Sequence, residues 1–270
     1  MKVLVTGASS MIGRHTVAAL LARGDEVTAL QRTVSGLDVR EVIGSVADAA
    51  TVAGACDGQD AVIHLAAKVG VTGEWAEYER TNVYGTRTLV DGARAAGVGR
   101  FVQVSSPSVA HAGSALVGAD AAPADPSRTR GHYATSKAMS EELALEASSS
   151  AMPIVAIRPH LVWGPGDTQL VGRIVERART GRLALVGSGT ALIDTTYVDN
   201  AADALVSALD RAPDLAGRAI VVSNGEPRTV AELVGRIVAA AGIDASPRHV
   251  PTAVAVAGGA IVERIWNARG

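Results

Sequence analysis

The chain has 270 residues, of which 48% are apolar and 19% charged, and its formal net charge is −2. This composition accommodates a sizeable core and excludes a disordered chain, and the charge gives no general attraction for nucleic acid or an anionic membrane. The single cysteine, Cys56, cannot form an internal disulfide, which indicates a buried spectator thiol and a reducing cytoplasm. The N-terminus has no signal-peptide pattern. The longest apolar stretch, Ala253–Val262, is too short to span a bilayer and is interpreted as a core helix.

Short apolar runs alternate with longer helical patterns. The predicted strands are Lys2–Thr6, Glu26–Gln31, Ala61–Leu65, Phe101–Ser105 and Ile154–Arg158, and the predicted helices are Met11–Arg23, Trp75–Ala96 and His132–Ser148. The strands carry Val, Ile and Leu at consecutive positions, which is typical of strands buried on both faces. The alternation therefore predicts an α/β fold with a doubly wound parallel sheet of the Rossmann type.

The pattern changes after Arg158, where glycine-rich turns separate shorter elements. We expect a dinucleotide-binding domain over residues 1–165 plus about 196–222, and a small substrate-binding lobe over about 166–195 plus 223–270. Val198–Ala208 and Ala219–Val222 are interpreted as a helix and a strand that return to the main sheet. Ala119–Arg130 is predicted to be an exposed loop. Asp48 and Asp199 are predicted to be helix caps.

A glycine turn follows the first strand, in the run Thr6-Gly7-Ala-Ser-Ser-Met-Ile-Gly13. A glycine turn between a strand and a helix brings backbone N–H groups and a helix N-terminus to a pyrophosphate. Gly7 would make the tight turn, and Gly13 would allow close packing of helix on strand. The alternative is an ordinary strand–helix turn.

The end of the second strand should contact the adenosine ribose of such a dinucleotide. It carries Gln31, where an acid would repel a 2′-phosphate, followed by Arg32, which can pair with one. This pair favours NADP(H) over NAD(H). The alternative is that Arg32 is a solvated surface arginine.

A tyrosine and a lysine four residues apart, Tyr133 and Lys137, share one face of a predicted helix. An ammonium beside a phenol favours phenolate, so we expect Lys137 to lower the pKa of Tyr133 and make it a usable acid or base. The pair is rare in a chain with four tyrosines and three lysines. Ser105 and Ser106 follow a predicted strand and would lie at the sheet edge where ligands bind.

These motifs, in this order and spacing over most of residues 1–210, resemble the extended short-chain dehydrogenase/reductase family. The segments that carry the resemblance are Asp60–Ala67, Thr81–Thr86, Val104–Val109, Tyr133–Lys137, Arg158–Pro165 and Tyr197–Asn200. The resemblance implies catalysis by Ser106, Tyr133 and Lys137, with Asn82 as a structural and proton-relay residue. Spacing from Val109 points to Ser106 rather than Ser105. The resemblance further implies a cofactor site that comprises Gly7, Ser9, Ser10, Met11, Ile12, Gly13, Arg32, Ser45, Val46, Leu65, Ala66, Ala67, Tyr133, Lys137, Pro159, His160 and Val162.

Within that family the chain is most similar to the 3β-hydroxysteroid dehydrogenase branch, especially its bacterial 2-alkyl-3-oxoalkanoate reductases. The resemblance thus implies an NADP(H)-dependent reduction of a ketone. A sterol dehydrogenase, a sugar-nucleotide epimerase or dehydratase, and a cofactor-sensing protein without activity remain alternatives, since fold alone does not separate them. The resemblance also implies a homodimer, formed through Trp75–Ala96 and His132–Ser148.

Two features depart from the family pattern. Ser10 stands where the family has its middle glycine, and the chain stops at Gly270, several tens of residues before its relatives, so part of the substrate lobe is expected to be missing. The six histidines lack a second ligand at metal-binding spacing, so no metal is predicted. His64 is interpreted as structural. His160 could contact substrate or serve only the fold.

Overall fold

The computed structural model describes residues 1–70, 72–111, 118–255 and 257–258. The chain folds into two compact units, residues 1–162 with 196–223 and residues 163–195 with 224–270. Half of the apolar stretch at residues 253–262 lies outside the described residues, as does the end of the chain from residue 259.

The first unit is built on a seven-stranded parallel sheet with the strand order β11-β6-β5-β4-β1-β2-β3. Its strands are β1 (Lys2–Thr6), β2 (Glu26–Gln31), β3 (Arg40–Ile43), β4 (Ala61–His64), β5 (Arg100–Val104), β6 (Ile154–Pro159) and β11 (Ala219–Val222). Every strand pair of the sheet is parallel. The predicted doubly wound α/β fold is confirmed.

Helices cover both faces of this sheet and bury it. They are α1 (Met11–Ala22), α2 (Ala49–Cys56), α3 (Trp75–Tyr78), α4 (Gly85–Ala95), α5 (His132–Glu146) and α7 (Val198–Asp210). Side chains of α1 and α7 join one apolar cluster with the sheet, and those of α2, α4 and α5 join another. Burial on both faces explains why the strands are continuous apolar runs. Cys56 is a free, buried thiol, and burial raises its pKa to about 11.

The predicted helix Trp75–Ala96 is not one regular helix. Residues Glu79–Tyr84 form a π-helical segment between α3 and α4. The pattern of apolar residues did not reveal this segment, because one widened turn changes the periodicity by a single residue. The predicted loop Ala119–Arg130 contains no helix or strand. It is not wholly exposed, however, since Ala124 is buried.

The second unit is smaller and has its own apolar cluster. Its elements are β8 (Ala184–Val186), β9 (Leu192–Ile193), β12 (Arg228–Thr229), β13 (Arg248–Val250), α6 (Val171–Arg179) and α8 (Val230–Ala240). Two short strands, β7 (Val162–Trp163) and β10 (Thr196–Tyr197), lie where the chain passes between the units. Inside this unit β12 pairs with β9 and β13 with β8, while α6 and α8 share the cluster centred on Leu183 and Leu185.

Candidate active site and cofactor site

The glycine turn lies at the carboxyl end of β1 and packs tightly on its surroundings. Gly7 has a φ of +70°, and a Cβ atom there would lie 2.8 Å from the backbone nitrogen of Ala66. A Cβ atom on Gly13 would lie 2.5 Å from the carbonyl oxygen of Gly7. Both positions therefore require glycine, and the turn leads as a tightly packed backbone cradle into the N-terminus of α1. Such a cradle fits the pyrophosphate of a dinucleotide.

Ser10, the departure from the family pattern, is the N-cap of α1. Its φ is −68°, which any residue can adopt, and its Oγ accepts a hydrogen bond from the Gly13 nitrogen at 3.1 Å. A serine is a good N-cap, whereas a glycine has no side chain to satisfy that donor. Ser10 therefore preserves the turn. Ser9 is exposed beside it, and Met11 and Ile12 begin the helix partly buried.

A carboxylate of β3, which no sequence pattern indicated, contacts the end of β2. Gln31 is buried, and its Nε2 donates a 2.7 Å hydrogen bond to Oε1 of Glu41 on β3. Glu41 also accepts hydrogen bonds from the backbone nitrogen and hydroxyl of Ser35, which lower the pKa of its carboxyl group. Arg32 is exposed. Arg14 of α1 reaches the same loop and donates to the Ser35 carbonyl at 2.8 Å.

The other predicted cofactor residues lie at or shortly after the carboxyl ends of β3, β4 and β6, with Val162 in β7. They are Ser45, Val46, Leu65, Ala66, Ala67, Pro159, His160 and Val162. Val46 is buried in the core, so its side chain does not face those strand ends freely. His160 has a buried Nδ1 with no hydrogen-bond partner. An unpaired buried nitrogen is costly to leave unsatisfied, so His160 is a fitting contact for a bound group.

The predicted serine and tyrosine come together. Ser106 follows β5, and its side chain lies near enough to the phenol of Tyr133, at the start of α5, to lower the pKa of that phenol. The Ser106 hydroxyl also contacts Ser108 Oγ at 2.9 Å. Ser105 is buried, and its hydroxyl has no partner. Of the two serines, Ser106 is the one whose side chain acts on the Tyr133 phenol.

Lys137 lies one helical turn after Tyr133 and is almost fully buried, at 4% exposure. Its Nζ donates a 2.6 Å hydrogen bond to the carbonyl oxygen of Val104, the last residue of β5. Burial lowers the pKa of this ammonium to about 8, although Glu141 opposes that shift. The expected effect on Tyr133 is wrong for this structure: burial raises the pKa of the phenol, and Ser106 offsets this only in part. Burial prevails because removal from water disfavours phenolate.

Asn82 lies in the π-helical segment, and hydrogen bonds fix both ends of its amide. Its Oδ1 accepts from the Lys68 nitrogen at 2.7 Å, and its Nδ2 donates to the Lys68 carbonyl at 3.0 Å and to Ser136 Oγ at 2.9 Å. Ser136 in turn donates to the carbonyl oxygen of Tyr133 at 3.0 Å. Asn82 therefore ties the chain after β4 to the helix that carries Tyr133. Its part in a proton relay stays a prediction.

His64, predicted to be structural, connects the glycine turn to Asn82. Its Nδ1 lies 2.7 Å from Thr6 Oγ1 and its Nε2 lies 3.1 Å from Thr86 Oγ1. Thr86 donates its own proton to the Asn82 carbonyl at 2.6 Å, so it accepts from His64, whose proton is on Nε2. Burial, and then the charge of Lys137, lower the pKa of His64 to about 3. The imidazole is therefore neutral.

Several other predictions can be checked against the described residues. Asp48 is the N-cap of α2, as predicted. The prediction for Asp199 is wrong, because it lies inside the first turn of α7 and pairs with His15 Nδ1 at 2.6 Å. The described part of the chain contains no cluster of three or more His, Cys, Asp or Glu side chains suited to a metal. No described helix is long and apolar enough to cross a membrane.

Comparison with known proteins identifies the family. Residues 3–223 match the NAD dependent epimerase/dehydratase family. The chain is 41% identical to a 2-alkyl-3-oxoalkanoate reductase of Stenotrophomonas maltophilia, over 98% of this chain and 83% of that protein. It is 32% identical to a 3-beta-hydroxysteroid dehydrogenase of Mycolicibacterium neoaurum, over 89% of this chain and 70% of the relative.

The fold is also similar to that of solved structures. A double mutant of dTDP-glucose 4,6-dehydratase from Streptomyces venezuelae, with NAD bound, has a TM-score of 0.80 and 28% identity, and covers 93% of this chain and 84% of that one. The predicted resemblance to extended short-chain dehydrogenases/reductases and the predicted class of NAD(P)-dependent oxidoreductases are confirmed. The chain belongs to the NAD dependent epimerase/dehydratase family.

Proposed function

We propose that the chain is an NADP(H)-dependent reductase that converts the ketone of a 2-alkyl-3-oxoalkanoate to a secondary alcohol. The observation that carries this proposal is the contact of Ser106 with the Tyr133 phenol, with the buried Lys137 one turn further along the same helix. The nature of the substrate rests on similarity to reductases of that name.

In this mechanism the side chains polarise the ketone and supply one proton. Ser106 donates a hydrogen bond to the carbonyl oxygen and stabilises the negative charge that develops there. Tyr133 transfers its phenolic proton to that oxygen as a general acid. The raised pKa of Tyr133 keeps this proton on the phenol at neutral pH, which suits reduction. Alcohol oxidation uses the same residues in reverse.

The dinucleotide site would be formed by the glycine turn and the edge of the sheet. Gly7, Ser9, Ser10 and Gly13 would receive the pyrophosphate at the N-terminus of α1. Lys137 would bind the ribose next to the nicotinamide, with Pro159, His160 and Val162 beside the ring. The bound cofactor supplies a hydride for the ketone carbon.

Consumption of NADPH in the presence of a 2-alkyl-3-oxoalkanoate tests the activity. We expect loss of absorbance at 340 nm with one equivalent of alcohol formed per NADPH consumed. A sugar-nucleotide epimerase or dehydratase, which structural similarity to a dehydratase favours, regenerates its cofactor and shows no net consumption. Conversion of a nucleotide sugar without net use of NADPH would replace the ketone reductase with that second function.

Cofactor preference is tested by titration with NADPH and NADH, followed by nicotinamide fluorescence. We expect tighter binding of NADPH, because Arg32 can pair with the 2′-phosphate. Arg32→Ala should weaken NADPH binding at least about 10-fold, the loss of one charge-assisted hydrogen bond, and change NADH binding little. Glu41→Gln should strengthen NADPH binding, since it removes a carboxylate beside Gln31.

The exposed Arg211, which pairs with Asp214, provides the matched control. Arg211→Ala should leave both affinities unchanged. A wild-type preference for NADH that Arg32→Ala does not alter would contradict the proposed role of Arg32. It would favour sterol or sugar-nucleotide oxidation as the activity of the chain.

The same proposal includes the oligomeric state of the protein and its location in the cell. A homodimer formed through residues 75–96 and 132–148 follows from the family resemblance. A cytoplasmic location is supported by the single buried thiol, Cys56, which forms no disulfide.

A further inference from the structure

The helix that carries Tyr133 and Lys137 presents a third polar residue on the same face. Glu141 follows Lys137 by four positions in α5, as Lys137 follows Tyr133. Residues four apart on a helix are neighbours on its surface, with Cβ atoms about 5–6 Å apart. Glu141 is 1% exposed, so its carboxylate is as deeply enclosed as the Lys137 ammonium.

Arg158 of β6 holds this carboxylate from the opposite side. Arg158 Nε donates to Glu141 Oε2 at 2.9 Å and Nη2 donates to Oε1, which gives a two-pronged ion pair. The remaining Nη1 donates to the Ala122 carbonyl at 2.8 Å. Among the ion pairs of the described residues, this is the one whose two side chains are both 1% exposed. A buried pair is weak evidence for stability, so its presence calls for a reason other than stability.

The charges around Lys137 define what Glu141 does there. His64 faces it from β4 and is neutral, while Tyr133 and Glu141 flank it on its own helix. On β5, the Val104 carbonyl oxygen accepts a hydrogen bond from Lys137. The residues on either side of Val104, Gln103 and Ser105, are uncharged. Arg158 lies beyond Glu141 and is paired with it. Glu141 is therefore the negative group that acts on the Lys137 ammonium. Burial lowers the pKa of Lys137, and the charge of Glu141 raises it.

We propose that Glu141, held by Arg158, is a positioning residue that keeps the buried Lys137 charged beneath Tyr133. Glu141 lies one helical turn from Lys137 along α5, and Arg158 binds both oxygens of its carboxylate. The guanidinium fixes the position of the carboxylate. Only the catalytic consequence, a charged Lys137 during ketone reduction, rests on the proposed function.

The test is a pH titration of Lys137 in the full-length protein without substrate or cofactor. The chain has three lysines, so ¹³Cε-lysine labelling gives three NMR signals, and Lys137→Met identifies the signal of Lys137. In the wild type we expect a midpoint near the value of about 8. Glu141→Gln should lower this midpoint by at least about one pH unit, because loss of a neighbouring opposite charge shifts a buried group by 1–3 units.

A second variant keeps the test valid if Glu141→Gln alone does not fold. Glu141→Gln combined with Arg158→Met removes both charges and leaves no unpaired ion in the core, a replacement that proteins often tolerate. Its Lys137 midpoint should also lie below the wild-type value, by less than in the single variant. Glu142→Gln is the matched control, since the same chemical change one residue further along α5 lies about 100° around the helix. It should leave the midpoint unchanged.

An unchanged Lys137 midpoint in a folded Glu141 variant, with only the unfolding temperature altered, would show that the ion pair is purely structural and overturn the proposal. Failure of the ketone-reductase assay would not affect this measurement. If the chain does reduce ketones, the alkaline limb of the rate profile should move to lower pH in Glu141→Gln together with the Lys137 midpoint.

Discussion

Replacement of Tyr133 by Phe is expected to lower the rate of ketone reduction by about 10²–10⁴-fold, the usual contribution of a positioned general acid. The substitution removes one hydroxyl and leaves the ring, so α5 and Lys137 keep their places. NADPH affinity, measured by fluorescence titration, should change little. The decisive comparison is between initial rates of NADPH oxidation for the two proteins at saturating substrate.

Tyr84→Phe is the matched control, because Tyr84 is 54% exposed. It should retain the wild-type rate. The wild-type rate of ketone reduction should also fall at alkaline pH, where Lys137 and then Tyr133, whose pKa burial raises, lose their protons. Oxidation of the alcohol needs phenolate and should rise over the same range. Persistence of wild-type turnover in Tyr133→Phe would rule out this mechanism.

Substitution of Gly13 by Ala is expected to damage both stability and cofactor binding. The new Cβ atom would lie 2.5 Å from the Gly7 carbonyl oxygen and 2.8 Å from the Cα atom of Ala8, and neither backbone atom can rotate away. Helix α1 must therefore shift from β1, at a cost of at least about 1–3 kcal/mol. The shift moves the helix N-terminus that would receive the pyrophosphate. Thermal unfolding and NADPH titration of the variant measure the two effects.

Gly54→Ala offers a control within α2, where a Cβ atom would meet nothing within 4 Å. An exposed helical glycine replaced by alanine should stabilise the protein by roughly 0.5–1 kcal/mol. The two variants make the same chemical change and should shift the unfolding temperature in opposite directions. If Gly13→Ala bound NADPH as tightly as the wild type, the glycine turn would not be the pyrophosphate site.

The sheet was predictable because its strands are buried on both faces. Lys2–Thr6 and Glu26–Gln31 begin and end where the apolar runs predicted. The Tyr133 and Lys137 pair was predictable for a similar reason, since spacing by four residues on a helix fixes a common face. Parallel strands then bring their carboxyl ends to one edge, which places Ser106 beside Tyr133 although 27 positions separate them in the sequence.

Contacts between distant segments were not predictable in this way. Glu41 has an ordinary position in the sequence, and only the pairing of β3 with β2 brings its carboxylate to Gln31. Burial likewise depends on packing, so the sign of the shift in the Tyr133 pKa could not be read from its distance to Lys137. The sequence around His64 indicated a strand but none of its hydrogen bonds, because its partners Thr6 and Thr86 come from separate elements.

The order of strands in the sheet has a consequence for how the chain acquires its structure during synthesis. Strand β6 pairs on its outer side with β11, whose residue Ala219 lies opposite Ala156. The ribosome must therefore release the residues between them before this edge can be covered. Until then β6, the strand that carries Arg158, presents unpaired backbone groups, and such an edge invites pairing with another chain. The nascent protein thus exposes β6 as an edge strand while the segment before β11 is being translated.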